Sequence, residues 1–257
     1  MKGMPMLSRT LELSRMYLTS PSKGARSIEA DPSWEANLGL YGAFIILSLI
    51  FYWLKPWDFP APAEAASTPH GLWFWSKVML WQPPLEAAWI FFLLGLAAFF
   101  KEGSFPKRLL AALVWSGGLF AVMVTYVQSA AFSRAVFAAV ELLLFLPFAA
   151  LWGRRDGRWR AVCAFMVGAN VIGAVLILPM ALTVWARSQT AFEMVQALGG
   201  LWMMTASALG LRQLTQLRLS RAFLAVVISL VFQIFVAFIL FLSGAVSKEI
   251  LKALLYA

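Results

Sequence analysis

Three carboxylates and two amides lie inside or at the edge of long apolar runs, and they are the side chains most able to do chemistry there. Glu86, Glu141 and Glu193 each stand near one end of such a run. An ionisable group inside a membrane helix is costly to bury, so each is a functional candidate by default. Together they read as an acidic vestibule for a proton or cation. The competing reading gives Glu86 and Glu193 to helix starts, where the positive end of the dipole favours a carboxylate, and bonds Glu141 to Arg134 on its own face. Asn170 and Gln233 fall at similar distances from the starts of their runs, counted at about 1.5 Å per residue. They are expected to meet and hold two helices together, an amide pair being worth roughly 0.6 to 2 kcal/mol in a membrane. Close approach is served by small residues at four-residue spacing, with Gly168, Gly173 and Gly210 as the helix-packing positions.

Other chemistries lack their parts. The chain has one Cys and one His, so a metal site built on several His or Cys ligands is not available. It holds no HExxH, no phosphate-binding glycine loop and no nucleophile elbow. The last apolar run has no lysine for a retinal Schiff base. Cys163 reads as a small core residue, and His70 as an exposed loop residue. No cofactor, no metal and no catalytic residue is expected, and the chain is not read as an enzyme.

The elements that must carry these groups follow from composition. Of 257 residues, 61% are hydrophobic and 13% charged, where a soluble domain has about a quarter charged. The expected fold class is all-α, a polytopic transmembrane helix bundle. Runs near the ~20 residues that cross a bilayer lie at Asn37–Leu54, Pro84–Phe100, Leu109–Val127, Ala135–Trp152, Ala161–Trp185, Glu193–Leu211 and Ala222–Val246. Seven crossings put 15 of the 21 basic residues on one side. The positive-inside rule then selects N-terminus in and C-terminus out. The net charge of +9 is dispersed between apolar runs, so it reads as a topology signal, not as a nucleic-acid surface.

The expected organisation is a cytoplasmic amphipathic segment 1–36, a bundle 37–246 and a short exoplasmic tail 247–257. In the first segment Leu7, Leu11 and Leu18 share a helical face, widened by Met6, Leu13 and Tyr17. That face suits either the inner membrane surface or packing beneath the bundle. Pro21 ends the helix, and Asp31-Pro32 reads as the start signal of the first spanning helix. Between the first two spans, 55–83 is expected to be an outer loop. Pro60–Pro69 is its linker, and Gly71–Trp81, with Trp73, Trp75 and Trp81, is its interfacial aromatic part. An aromatic cage is the alternative there, but it needs a cation. Pro147 and Pro179 should bend their helices.

Two stretches, Ala97–Gly118 and Ala149–Asn170, each leave an apolar run through a basic turn with an aromatic two residues after a glycine (Gly103/Phe105, Gly157/Trp159). That hairpin, the stretch Ser20–Arg26 before the first span, and Leu209–Leu214 followed by Leu219–Ala222 resemble the Yip1 family of integral membrane proteins in its bacterial branch. The family is usually described with five crossings, and the seven here depart from it. The resemblance implies a non-enzymatic accessory or scaffold subunit of a membrane complex, export systems among them. It would lie in the bacterial cytoplasmic membrane among lipid and other membrane proteins. The alternative is a small-solute or ion transporter or channel.

The topology is checked with single cysteines at Ser67, Arg155, Ser188 and Thr215 in a Cys163→Ala background. An impermeant thiol reagent should reach positions 67 and 188 from outside and leave 155 and 215 unmodified. Outside reaction at 155 would overturn the middle of the scheme.

Overall fold

In hydrocarbon no water satisfies a backbone amide, so an apolar crossing must close its hydrogen bonds within itself. The computed structural model of the chain answers with helices. It describes residues 6–56, 58–59, 71–129, 133–153 and 157–256. The expected linker Pro60–Pro69, His70, Trp57 and the basic residues Lys2, Arg154 and Arg155 lie outside the described residues.

The helices are α1 (Met6–Thr19), α2 (Pro21–Ala30), α3 (Trp34–Leu54), α4 (Leu72–Lys101), α5 (Phe105–Gln128), α6 (Arg134–Gly153), α7 (Trp159–Ala169), α8 (Val171–Trp185), α9 (Gln189–Thr215), α10 (Leu219–Leu242) and α11 (Lys248–Tyr256). No strand occurs among the described residues. Seven spans are long and apolar enough to cross a membrane: α3, α4, α5, α6, α7 with α8, α9 and α10. The protein is an all-α, multi-pass integral membrane protein.

Four local expectations are revised. α4 starts at Leu72 and runs through Pro83 and Pro84, so Leu72–Trp81 is helical and the loop after Leu54 is shorter than 55–83. Each proline removes one intrahelical donor. Apolar burial on both sides, at Val78 and Met79 and again at Leu85 and Trp89, keeps the helix going. The span 159–185 is interrupted at Asn170. α3 begins at Trp34 after Ser33, whose φ is 46°; Asp31 instead closes α2 and accepts from the Ser33 amide at 3.2 Å. The tail 248–256 is helical.

The chain divides into two compact units, 1–82 with 158–219 and 83–157 with 220–257. In the first, α2 runs against α9, α8 against α9, and α3 against both α7 and α8. α1 contacts α2, α3, α7 and α8, which favours packing beneath the helices over lying free on a membrane surface. Its buried residues are Leu13 and Tyr17, while Leu7 and Leu11 remain 73% and 62% exposed. Burial therefore falls on the Leu13 and Tyr17 side of the expected face. Arg9 pairs with Asp31 and also donates to Ser33. Arg158 bonds Glu29 of α2 at 2.9 Å and the Leu214 carbonyl of α9 at 3.3 Å.

The glycines chosen for close approach are used within this unit. A Cβ at Gly173 would lie 2.8 Å from Phe44 Cε2, and one at Gly210 would overlap the Phe165 ring, with Cδ1 at 2.7 Å. At Gly168 it would meet Asn37 and Tyr17, the Tyr17 hydroxyl at 2.7 Å.

The second unit is built on aromatic rings. Trp115 of α5 stacks on Phe148 of α6 at 4.4 Å and donates its indole N–H to the Leu144 carbonyl at 2.9 Å. Phe92 of α4 and Phe232 of α10 join the same cluster, 4.9 Å from Phe148 in each case. Arg221 donates to the Phe100 carbonyl at 2.7 Å and lies 5.3 Å from the Phe105 ring centre. The Gly103 turn before Phe105 has φ of 67°, a conformation that costs glycine little.

Two glycines on α9 separate close packing from helix propensity. Gly210→Ala should destabilise by about 1–3 kcal/mol, because its Cβ must displace Phe165. Gly200 has nothing within 4 Å, so Gly200→Ala should be neutral or stabilising by up to about 1 kcal/mol. Thermal unfolding in detergent, followed by circular dichroism, checks both.

Candidate functional site

Glu141 sits seven residues into α6, about 10 Å along the helix at 1.5 Å per residue. It is fully buried, and neither carboxylate oxygen has a hydrogen-bond partner among the described residues. The expected bond to Arg134 is not made. Arg134 is exposed at the helix start, and its guanidinium lies where a Cβ on Gly244 would be 3.1 Å away.

The other two carboxylates differ from Glu141. Glu86 is the fifteenth residue of α4, since that helix starts at Leu72, so its charge cannot compensate the dipole of the first turn. It is half-buried. Glu193 is exposed and accepts from Gln189 Nε2 at 2.7 Å. It belongs to the first unit, whereas Glu86 and Glu141 belong to the second.

Asn170 works on its own helix. Its Nδ2 donates to the carbonyls of Met166 and Val167, both at 3.2 Å, where α7 stops and α8 begins. A short polar side chain competes for backbone bonds in this way, and here it serves carbonyls near the interruption of the span. Gln233 is half-buried in α10 and falls in the second unit, Asn170 in the first. The hydrogen bonds described for Asn170 are to carbonyls of its own span.

Sequence reading missed the polar contact that α1 makes. Tyr17 donates to Asn37 Oδ1 at 2.6 Å, and Asn37 Nδ2 donates to the carbonyls of Pro32 at 2.9 Å and Ser33 at 3.2 Å. Burial pushes the Tyr17 phenol well above its ordinary value, and the bond to Asn37 offsets part of that, so the hydroxyl is a neutral donor. Asn37 had been visible only as the first residue of an apolar run. Nothing in one sequence joins it to a tyrosine twenty positions earlier.

A second missed feature concerns the aromatic cage, which lacked a cation in the sequence reading. Tyr52 and Trp75 stack at 4.9 Å, and Lys55 Nζ lies 5.9 Å from each ring centre. The cation is the chain's own lysine, whose ammonium burial holds below its usual value. Lys77 sits 5.3 Å from the Trp73 ring in the same way.

Among the described residues no three His, Cys, Asp or Glu side chains gather to hold a metal. Cys163 is half-buried on α7. No family model, curated protein or solved structure matches the chain.

The Tyr17–Asn37 bond gives a direct test. Tyr17→Phe leaves a buried acceptor without its donor and should cost about 1–3 kcal/mol. Tyr17→Phe combined with Asn37→Leu should cost less than the sum of the singles, because the two groups share one interaction. A thermal-unfolding cycle giving additive values would show that the bond contributes nothing.

Proposed function

We propose that the chain is a Yip1-like accessory subunit of a membrane complex, acting by lateral helix contact and without reaction chemistry of its own. On this reading it resides in the bacterial cytoplasmic membrane with its N-terminus inside and C-terminus outside. Complexes of the exporter type are the favoured setting.

The observation that supports it is the open face of α5. Only 17% of its spanning window is buried within the chain, against 61% for α7 with α8. That face carries Gly117 and Ala121 four residues apart, flanked by exposed Leu113 and Phe120. Nothing lies within 4 Å of a Cβ placed on Gly117 or Gly118. A small-residue notch on a lipid-facing helix lets a second helix come close, and in lipid that contact is driven by packing. Gly168, Gly173 and Gly210 do not supply this notch, since their close contacts are already made inside the chain.

A small-solute or ion transporter is the second reading. Unpartnered Glu141 and the span interrupted at Asn170 favour it, because discontinuous helices line substrate sites in many transporters.

Crosslinking in native membranes separates the two. Gly117→Leu should abolish a crosslinked species that the wild type forms while leaving thermal stability within about 0.5 kcal/mol. Glu86→Gln and Glu193→Gln should leave that species in place. Persistence of every crosslinked species in Gly117→Leu would overturn the lateral-contact reading. So would proton or cation flux by the purified protein alone in liposomes, lost in Glu141→Gln.

A further inference from the structure

The second unit holds two buried polar groups that no described side chain or backbone group satisfies: the Glu141 carboxylate on α6 and the Trp89 indole N–H on α4. Their relative level follows from ring contacts. Phe92 packs on Phe145 at 5.1 Å and on Phe148 at 4.9 Å. Three residues further along α4, a Cβ on Gly95 would lie 2.8 Å from Phe148 and 3.8 Å from Leu151. The contacts advance together, so α4 and α6 run parallel here. One turn back from Phe92 is Trp89, and one turn back from Phe145 is Glu141. The donor and the acceptor share a level on neighbouring helices without bonding to each other.

The surroundings of that level carry little charge. α5 runs antiparallel to α6, since Trp115 stacks on Phe148 and Tyr126 on Phe137. Opposite Glu141 it therefore presents the stretch holding Leu119 and Met123, its buried residues. α10 runs antiparallel to α4, with Arg221 at Phe100 and Phe232 at Phe92. Its residues beyond Phe232 up to Leu242 contain no charge and one amide, Gln233. The titratable groups nearest in register are Glu86, three residues before Trp89, Tyr126 stacked on Phe137 one turn from Glu141, and exposed Arg134. On α11, Lys248, Glu249 and Lys252 follow the Gly244 turn that Arg134 overlies.

We propose that Glu141 and Trp89 form an intramembrane protonation site, in which a water accepts the indole N–H and donates to the carboxyl. A buried carboxylate with no partner needs a compensating charge, which a proton or a small cation can supply. The indole N–H decides between them. Its positive edge repels an alkali cation, whereas a water both accepts from it and passes a proton to Glu141. The carboxylate takes up one proton from hydrated protons through that water and returns it the same way, with no electron transfer. The site does not depend on the accessory reading, since it can set the charge of the unit whether or not anything crosses the membrane.

The test uses the full chain in lipid nanodiscs and dicyclohexylcarbodiimide, an apolar reagent that converts a protonated carboxyl to a stable acylurea, located by peptide mass spectrometry. Glu141 should be labelled, with the yield falling by up to about tenfold per pH unit above the midpoint. Sodium or potassium chloride should act no differently from choline chloride. Glu141→Gln should lose label at this position alone, Glu141→Asp should retain it, and Trp89→Phe should move the midpoint. Mapping on the wild type decides the matter even if Glu141→Gln does not fold. Absence of label at every pH on folded protein, pH-independent label, protection by sodium or potassium, or an unmoved midpoint in Trp89→Phe would each overturn the site as proposed.

Discussion

A polar atom that leaves water for this interior must find its partner in the chain, and most of the fold can be read as the ways it does so. Backbone groups are satisfied by helices. Asn37 spends its amide on the carbonyls of Pro32 and Ser33 and its oxygen on Tyr17, so one side chain serves the start of α3 and anchors α1 to it. Asn170 does the same for α7. Trp115 places its N–H on Leu144, Arg158 on Leu214 and Arg221 on Phe100. Among the described residues Glu141, Trp89, the Ser207 hydroxyl and Arg9 Nε depart from this pattern, and of these the ionisable Glu141 is the kind of exception where a membrane protein most often carries something besides packing.

Legibility in the sequence followed the strength of the physical signal. Crossings are long apolar runs whose cost outside a bilayer is large, and all seven were placed, with ends moved by a few residues apart from α4. That helix is shorter in the sequence reading because the aromatic stretch Gly71–Trp81 reads there as an interfacial part of the outer loop, whereas burial at Val78, Met79, Leu85 and Trp89 runs on both sides of its two prolines. Gly168, Gly173 and Gly210, singled out by the four-residue spacing of small residues, lie against Tyr17, Asn37, Phe44 and Phe165.

Pairings were less legible than positions. Asn170 and Gln233 are joined in the sequence on depth alone, and depth says nothing of the carbonyls of Met166 and Val167 that Asn170 serves on its own helix. Glu141 and Arg134 were joined because seven residues return a helix to the same face. The arginine sits in the first turn, exposed, and lies too far along the axis for its side chain to reach back. In α1 the expected face is buried at Leu13 and Tyr17 and open at Leu7 and Leu11, because Tyr17 bonds Asn37 and meets Phe165 in a T-shaped contact at 5.1 Å.

The division of the chain also has a consequence for how it is made. The first unit draws on residues 1–82 and 158–219, so α2, which leaves the ribosome early, waits for α9 before its longest-shared neighbour exists. During that interval Ile28, Ala25 and Gly24 have no lasting cover, and Glu29 has no Arg158. The intervening stretch 83–157 must be inserted first, and it in turn lacks Phe232 until α10 emerges. Contacts this distant in sequence slow assembly and lengthen the exposure of apolar surface. The two halves of each unit are thus held apart by the order of synthesis, and a nascent chain stalled before residue 158 would present α1 and α2 to any chaperone or protease at the membrane surface.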